Sequence, residues 1–150
     1  MGTTLEALAI IGNQAIYAHI GDSRIGLVRG EEYKQLTSDH SLVNALLKAG
    51  QITAEEAERH PQRNIITQSI GQKDEIQPDF GMISLEEGDY IVVNSDGLSN
   101  MVSGSEIYDI LKSELTLPEK AQTLIRFANN AGGLDNITVA LVYFDKEEEA

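Results

Sequence analysis

The chain has 150 residues and a formal net charge of −13, from 11 basic and 24 acidic side chains. Its length suits one domain, and its acidity argues against nucleic acid as a partner, because phosphate binding needs a basic surface. The absence of cysteine excludes disulfides, a cysteine nucleophile and thiolate metal sites. With no run of 18 apolar residues and no secretion signal, we expect a cytoplasmic protein without a membrane span.

The first forty residues are rich in strand and turn signals. We predict strands over 3–11, 15–20, 25–30 and 31–37. Turn signatures separate them at Gly12-Asn13-Gln14, at the GDSR stretch of residues 21–24, and at Gly30. Five consecutive strand or turn signals predict an antiparallel meander rather than βαβ units.

Helical periodicity begins after Asp39. The first predicted helix has apolar residues at helical spacing and a glycine stop: Leu42, Ala45, Leu46, Ala49 and Gly50. Thr53 and Glu56 have capping-box spacing, which predicts a second short helix that ends before Pro61.

The second half alternates strands and helices. Residues 76–97 predict two strands joined at 86–88, the second of which is the buried run 90–93, ending in a turn at 94–97. A helix over 105–115 should bury Ile107, Ile110 and Leu111. A longer helix from Pro118 to Asn130 should bury a second apolar stripe: Ala121, Leu124, Ile125 and Ala128. A final strand over 136–144 completes an α+β pattern.

Three aspartates lie at predicted strand ends, each beside small or turn-forming residues: Asp22, Asp96 and Asp135. If their strands belong to one sandwich, the three carboxylates can converge at one end. Converging carboxylates need a counter-charge, and Mg²⁺, Mn²⁺ and Ca²⁺ prefer such oxygen ligands. The alternative is that each is an ordinary turn residue.

Other candidate residues form weaker patterns. His19, His40 and His60 show no paired metal spacing, which favours core or surface histidines. Ser23 lies in GDSR, but G-x-S-x-G is absent and no histidine suggests a triad.

Five segments in this order resemble the metal-dependent serine/threonine protein phosphatases, the PPM or type 2C family, and most closely its small bacterial members. They are the hairpins ending in GDSR at 21–24, the D-H-S segment at 39–41, the R-N-x-[IL]-T-x-S-[IL]-G strand at 63–71, the SDGL segment at 95–98 and the D-N-I-T strand start at 135–138. The resemblance covers residues 1–143.

The resemblance implies two antiparallel sheets packed face to face, with helices outside both. It implies hydrolysis of phosphoserine and phosphothreonine on proteins by a water bound to Mn²⁺ or Mg²⁺, so no side chain of this chain is the nucleophile. By the resemblance, Asp96 and Asp135 are ligands of two main metal sites, Asp22 belongs to a possible third site shared with Asp96, and Asn136 supports the loop around Asp135. Ser23 and Arg24 are expected to be structural. The phosphoproteins are expected to be substrates of a partner serine/threonine kinase.

The chain also departs from the family pattern, since the N-E-D and D-G-M-G-G segments with which the family opens do not occur. We therefore expect residues 1–145 to be the C-terminal part of the catalytic domain, with a flap at about 41–66 and a polar tail at 146–150. We expect this fragment to be inactive alone and to be able to self-associate through exposed edges and uncovered core. Two alternatives are a noncatalytic module of the same fold, binding a partner or a regulatory metal, and an unrelated α+β domain.

Overall fold

The computed structural model describes residues 1–72 and 75–145 of the chain. Seven strands form two antiparallel sheets. The first sheet contains, in spatial order, β1 (Leu5–Ile11), β2 (Gln14–Ile20) and β5 (Asp79–Ser84). The second contains β4 (Glu32–Gln35), β3 (Arg24–Arg29), β6 (Asp89–Asn94) and β7 (Val139–Phe144). The predicted α+β sandwich of two antiparallel sheets is confirmed.

Two apolar clusters explain why β3 and β6 are the central strands of their sheet. Between the sheets lies one cluster of buried side chains: Ala15, Ile25, Leu27, Leu85 and Ile91. Val28 and Val92 project to the opposite face of the same strands and join a second cluster that includes helical residues. Because both strands are covered on both faces, their apolar runs are nearly continuous rather than alternating.

The helices lie in three places along the chain. Between β4 and β5 are α1 (Leu42–Lys48) and α2 (Ala54–Glu58), and after β6 come α3 (Asp96–Ser99), α4 (Gly104–Lys112) and α5 (Leu117–Asn130). The predicted capping box of Thr53 and Glu56 is present at the start of α2. Helices α4 and α5 pack over the four-stranded sheet, and the predicted stripe of Ile107, Ile110 and Leu111 is buried.

Three predictions about local structure are wrong. The first four strands do not form one meander, because the chain crosses from one sheet to the other between β2 and β3. The segment 63–71 is not a strand, and its pairing is limited to the single bridges Ser41–Ile66 and Thr3–Ile70. The predicted turn at 94–97 instead begins the short helix α3. The predicted tail at 146–150 lies outside the described residues.

The outer face of the three-stranded sheet is apolar and exposed. Ile16 is paired with Ala9 and Met82, and Ala18 with Phe80, so their side chains share one face of the sheet. Phe80 is 76% exposed and Met82 65% exposed. The expectation of uncovered apolar surface is therefore met on this sheet. Within residues 1–72 and 75–145, no helix has the length and apolar character needed to cross a bilayer.

Candidate metal centre

The register of the second sheet brings the three aspartate-bearing loops to one end. Arg24 is paired with Asn94, and Asn94 is paired with Val139 on its other side. Asp22 precedes Arg24 by two residues and Asp96 follows Asn94 by two, so the antiparallel register directs both loops beyond the same sheet end. The loop that leads into β7 carries Asp135 to that end as well.

Ser95 joins the Asp96 loop to the Asp135 loop. Its hydroxyl donates to the carbonyl oxygen of Asn136 at 3.1 Å and accepts from the Thr138 backbone N–H at 3.0 Å. The Ser95 backbone N–H also donates to the Thr138 carbonyl oxygen at 3.1 Å. Three hydrogen bonds therefore hold together the residues that neighbour Asp96 and Asp135.

Gly97 allows these loops to approach each other closely. A β-carbon at this position would stand 2.2 Å from the carbonyl oxygen of Asn136, a distance that real β-carbons do not adopt. Asn136 contributes through its backbone, because its N–H donates to Asp135 Oδ1 at 2.7 Å and its carbonyl accepts from Ser95. Asn136 thus links the Ser95 and Asp135 side chains through its backbone.

The Asp22 loop is held by Thr4, the residue that precedes β1. Gly21 has a φ of +113°, and a β-carbon there would stand 2.3 Å from Thr4 Cγ2. The hydroxyls of Thr4 and Ser23 are 3.0 Å apart and share a hydrogen bond. Ser23 therefore anchors the loop, in agreement with its predicted structural role.

The three aspartates line one cavity of about 420 Å³. Asp22 and Asp96 also line an adjoining cavity of about 610 Å³, whose far wall is formed by residues of α1, α2 and the segment that follows them: Val43, Asn44, Leu47, Ala57, Glu58, Arg59, Arg63 and Asn64. Asp22 and Asp96 are half-buried and Asp135 is exposed. The predicted convergence at one end of the sandwich is therefore present in the geometry.

Burial and mutual repulsion disfavour the ionised form of the aspartates in this cavity. Burial, and then the charge of Asp96, raise the pKa of Asp22 above its usual value. Burial, and then the charge of Asp135, raise the pKa of Asp96. Within the described parts of the chain, none of the three aspartates has a salt-bridge partner. A cation bound in the cavity would remove this cost.

Arg24 does not supply that cation, because it is committed to Asp39. The guanidinium donates from Nε to Asp39 Oδ1 at 3.0 Å and from Nη2 to Oδ2 at 2.6 Å. Gln35 Nε2 donates to the same carboxylate at 2.8 Å. This two-point pair ties the start of β3 to the D-H-S segment, which agrees with the structural role predicted for Arg24.

The donor chemistry fits hard divalent cations. The cavity offers carboxylate oxygens from three loops, which are the ligands that Mg²⁺ and Mn²⁺ prefer. The three aspartates do not form a group whose ligand atoms all lie within 4.8 Å of one another. The arrangement therefore suits more than one ion position, with water completing each shell, better than a single closed site.

Two histidines that are far apart in sequence meet beside the Asp22 loop. The His19 and His40 ring centroids are 4.6 Å apart, and with Asp79 they form a group whose ligand atoms lie within 4.8 Å of one another. Both histidines have hydrogen-bond partners, as expected of core or surface histidines, but their proximity was not predicted. No spacing along the chain indicates the pair, because β2 brings His19 to the D-H-S segment only through the tertiary fold.

Sequence reasoning missed a basic residue at the candidate centre. Arg63 and Asn64 line both cavities, beside Asp22 and Asp96. Arg63 is exposed, and its Nη1 donates to the carbonyl oxygen of Glu58 at 2.9 Å. The available signal was its place as the first residue of the R-N-x-[IL]-T-x-S-[IL]-G segment at 63–71, five residues after the helix that ends at Glu58.

Comparison with known proteins identifies the family. The model for protein phosphatase 2C matches residues 1–132. The chain belongs to the protein phosphatase 2C family. This excludes the alternative of an unrelated α+β domain.

Named members of this family are very similar to the chain. Protein phosphatase PhpP of Streptococcus pneumoniae is 77% identical over 148 residues, which are 99% of this chain and 60% of that protein. A solved structure of the S. agalactiae serine/threonine phosphatase superposes with a TM-score of 0.94 at 64% identity, covering 96% of this chain and 60% of the other.

One further relative was solved with metal. The catalytic domain of the serine threonine protein phosphatase PstP, in complex with two manganese ions, superposes with a TM-score of 0.83 at 38% identity. It is covered over 57% of its length, by 93% of this chain. The chain thus spans about 60% of the length of the protein phosphatase 2C relatives that it matches.

Proposed function

We propose that the full-length protein is a metal-dependent phosphatase that hydrolyses phosphoserine and phosphothreonine on proteins. The observation that carries the proposal is the cavity in which Asp22, Asp96 and Asp135 converge without a salt bridge to any described residue. Asp96 and Asp135 would hold the two main Mn²⁺ or Mg²⁺ ions, and Asp22 a third ion shared with Asp96. Asn136 would keep the Asp135 loop in place through its two backbone hydrogen bonds.

The bound ions, Arg63 and the segment 41–66 have separate roles in this proposal. Bound divalent ions would lower the pKa of water and would provide a counter-charge for the phosphate ester. Arg63 lines both cavities beside Asp22 and Asp96, and its cation would offset the repulsion between a phosphate dianion and a strongly acidic protein. Residues 41–66 form the flap of the domain in this proposal, because several of them line the wall that faces the aspartates.

The proposed substrates are phosphoproteins made by a partner serine/threonine kinase, and the proposed compartment is the cytoplasm. In support of a protein substrate, the larger cavity combines the carboxylates with apolar side chains such as Val43, Leu47 and Met101. Apolar side chains of this kind can contact the chain segment beside a phosphorylated residue. Residues 1–145 form the C-terminal part of the catalytic domain in this proposal, followed by the tail at 146–150.

We propose that the 150-residue chain is inactive by itself. Hydrolysis at a two-metal centre needs ions held about 3.5–4 Å apart. The carboxylate oxygens of the three aspartates do not all lie within 4.8 Å of one another. Further ligands would therefore be needed to hold two ions at such a spacing. The relatives are longer than the chain, and we place the missing ligands in a segment N-terminal to it. The rival function is a noncatalytic module that binds a partner or a regulatory metal.

The test uses an extended protein, made by joining to the N-terminus of this chain the part of S. pneumoniae PhpP that lies before the matched region. We expect Mn²⁺-dependent hydrolysis of an aryl phosphate and of a phosphothreonine peptide. Asp135→Asn should abolish both, and Asp109→Asn, which alters an exposed aspartate on α4, should abolish neither. An extended protein that is folded but inert with Mn²⁺ and Mg²⁺ favours the noncatalytic module.

A further inference from the structure

The hydrogen bonds of His40 fix the position of its proton. The backbone N–H of Gly21 donates to His40 Nδ1 at 3.1 Å, so this nitrogen carries a lone pair. His40 Nε2 is 3.0 Å from Asp79 Oδ2, and a carboxylate oxygen accepts. Only the neutral ring with its proton on Nε2 satisfies both contacts.

The same residue holds Gly21 at a second point. The His40 backbone N–H donates to the Gly21 carbonyl oxygen at 2.7 Å. Gly21 is buried, has a φ of +113° and packs against Thr4, so its backbone has little room to move. Both polar backbone groups of the residue before Asp22 are therefore satisfied by His40.

His40 is in turn supported from several sides. Its carbonyl oxygen accepts from the Thr67 N–H at 2.8 Å, and its ring packs on that of His19. His19 is buried and fully engaged, with Nδ1 bonded to Glu6 Oε1 at 2.5 Å and Nε2 to the Ser38 carbonyl oxygen at 3.0 Å. The His40 ring is thus held between the sheet and the Gly21 loop.

These contacts exclude a simple metal-binding role for His19, His40 and Asp79, despite their proximity. A metal on His40 Nε2 would displace the proton of that nitrogen while Nδ1 still accepted from Gly21, which requires an imidazolate ring. A metal on His19 Nε2 would break the bond to the Ser38 carbonyl. Metal-bound histidines instead donate from their second nitrogen. The group is therefore a hydrogen-bonded support.

We propose that His40 is a positioning residue for Asp22, acting through the acceptor Nδ1. It holds Gly21 so that the following residue presents its carboxylate to the cavity shared with Asp96 and Asp135. The inference rests on the proposed function, in which Asp22 is a metal ligand. The role of His40, the histidine of the D-H-S segment, thus depends on its contact with Gly21 and not on its contact with Asp79 alone.

Two substitutions test the contacts of the two His40 ring nitrogens one at a time. In His40→Asn, an amide oxygen at the δ position can accept the Gly21 N–H. In His40→Gln, the amide lies at the ε position, where it can reach Asp79 but not Gly21. Asp109→Asn is the control, because Asp109 is exposed on α4 and lines neither cavity.

Two readouts are measured in the extended protein. We expect His40→Gln to speed hydrogen exchange at the Gly21 amide and to raise the Mn²⁺ concentration for half-maximal activity by about tenfold, the loss typical of residues that orient metal ligands. At saturating Mn²⁺, the KM for aryl phosphate should not change. His40→Asn should keep both readouts near those of the parent, as should Asp109→Asn.

The proposal is overturned if His40→Gln only lowers thermal stability and leaves the Mn²⁺ dependence unchanged, or if His40→Asn is as defective as His40→Gln. A parent protein that is inert with every metal would refute the proposed function instead. The exchange contrast at Gly21 between the Asn and Gln variants would still decide whether Nδ1 holds the loop.

Discussion

Gly97 lies directly against the backbone of Asn136, with room for a hydrogen atom but not for a side chain. This contact, together with the Ser95 hydroxyl that bridges Asn136 and Thr138, sets the distance between the loops of Asp96 and Asp135. The two carboxylates are thus brought together by a glycine and a serine that carry no charge themselves.

Replacing Gly97 with alanine should force these loops apart. We expect Gly97→Ala to lower the free energy of unfolding by about 1–3 kcal/mol, the usual cost of overpacking, because its obstacle is backbone and not a flexible side chain. Ser99→Ala in the same helix is the control, since the Ser99 hydroxyl is buried without a hydrogen-bond partner in the described structure and its loss should be nearly neutral. Urea denaturation of both variants measures the difference, and equal stabilities would contradict the close contact.

Neutralising one carboxylate should stabilise the metal-free chain. The pKa values of Asp22 and Asp96 are raised by burial and then by a neighbouring aspartate, so ionisation opposes folding. The stability gained from a raised carboxyl pKa is fully present below the unfolded value of about 3.8 and is lost as pH rises through the folded pKa.

At pH 7 without metal, we therefore expect Asp22→Asn and Asp96→Asn each to raise the melting temperature by no more than about 4 °C, since solvent screens part of the repulsion. The same variants should lose most of the stabilisation that Mn²⁺ gives the parent. Asp109→Asn should show neither effect. Thermal scans with and without Mn²⁺ test this, and lower melting temperatures for both metal-free variants would show that the carboxylates serve as structural turn residues.

The Glu6–His19 pair should make folding stability depend on pH. Burial lowers the pKa of His19, but its hydrogen bond to Glu6 and the charge of that carboxylate outweigh burial and raise the pKa above its usual value. The corresponding stability is complete below about pH 6.5 and is lost as pH rises through the folded pKa. Burial raises the pKa of Glu6, which gives a pH effect of the same sign.

Denaturation between pH 6 and pH 9 should therefore show a steeper loss in the parent than in Glu6→Gln. The difference in slope should not exceed about 1.4 kcal/mol per pH unit, the value for one proton. Gln keeps the shape and an acceptor for His19 but removes the charge. Parallel pH profiles for the parent and the variant would show that the pair does not titrate in this range.

The exposed face of the three-stranded sheet should make the isolated chain self-associate. Phe80 and Met82 are the most exposed large side chains on β5, and their face carries no charged residue at the paired positions Ala9, Ile16 and Ala18. We expect Phe80→Glu with Met82→Glu to shift sedimentation of the 150-residue chain toward monomer. Phe127→Glu, which alters an exposed phenylalanine on α5, is the control. A monomeric parent chain would contradict the prediction.

Much of the secondary structure follows from periodicity and capping residues. The spacing of Ile107, Ile110 and Leu111 predicted α4, and the capping residues Thr53 and Glu56 predicted the start of α2. In α5, Leu124 and Ala128 are buried as predicted, but Ala121 and Ile125 are only partly buried. Periodicity did not predict burial of Lys120, because its ammonium donates to the Tyr90 hydroxyl at 2.8 Å across the core, a partner that only the tertiary fold supplies.

The site was predictable where a residue's role depends on its own chemistry, and less so where it depends on its neighbours. The proposal that Asp22, Asp96 and Asp135 bind a cation follows from the chemistry of their carboxylates. The sheet in which each strand lies does not follow from local sequence, since β2 and β3 have similar composition and are separated by only three residues. The contact of His40 with Gly21 depends on that crossing between sheets and could not be predicted.

The most direct test of the metal assignment is paramagnetic broadening by Mn²⁺ in NMR spectra of the 150-residue chain. At substoichiometric Mn²⁺, the amide signals of Asp22, Gly97 and Asn136 should broaden first, and Asp96→Asn should reduce the broadening at all three. Signals of residues around His19 and Asp79 should broaden less. Broadening that centres on His19 and Asp79, or that survives unchanged in Asp96→Asn, would contradict the assignment of the three aspartates as the metal ligands.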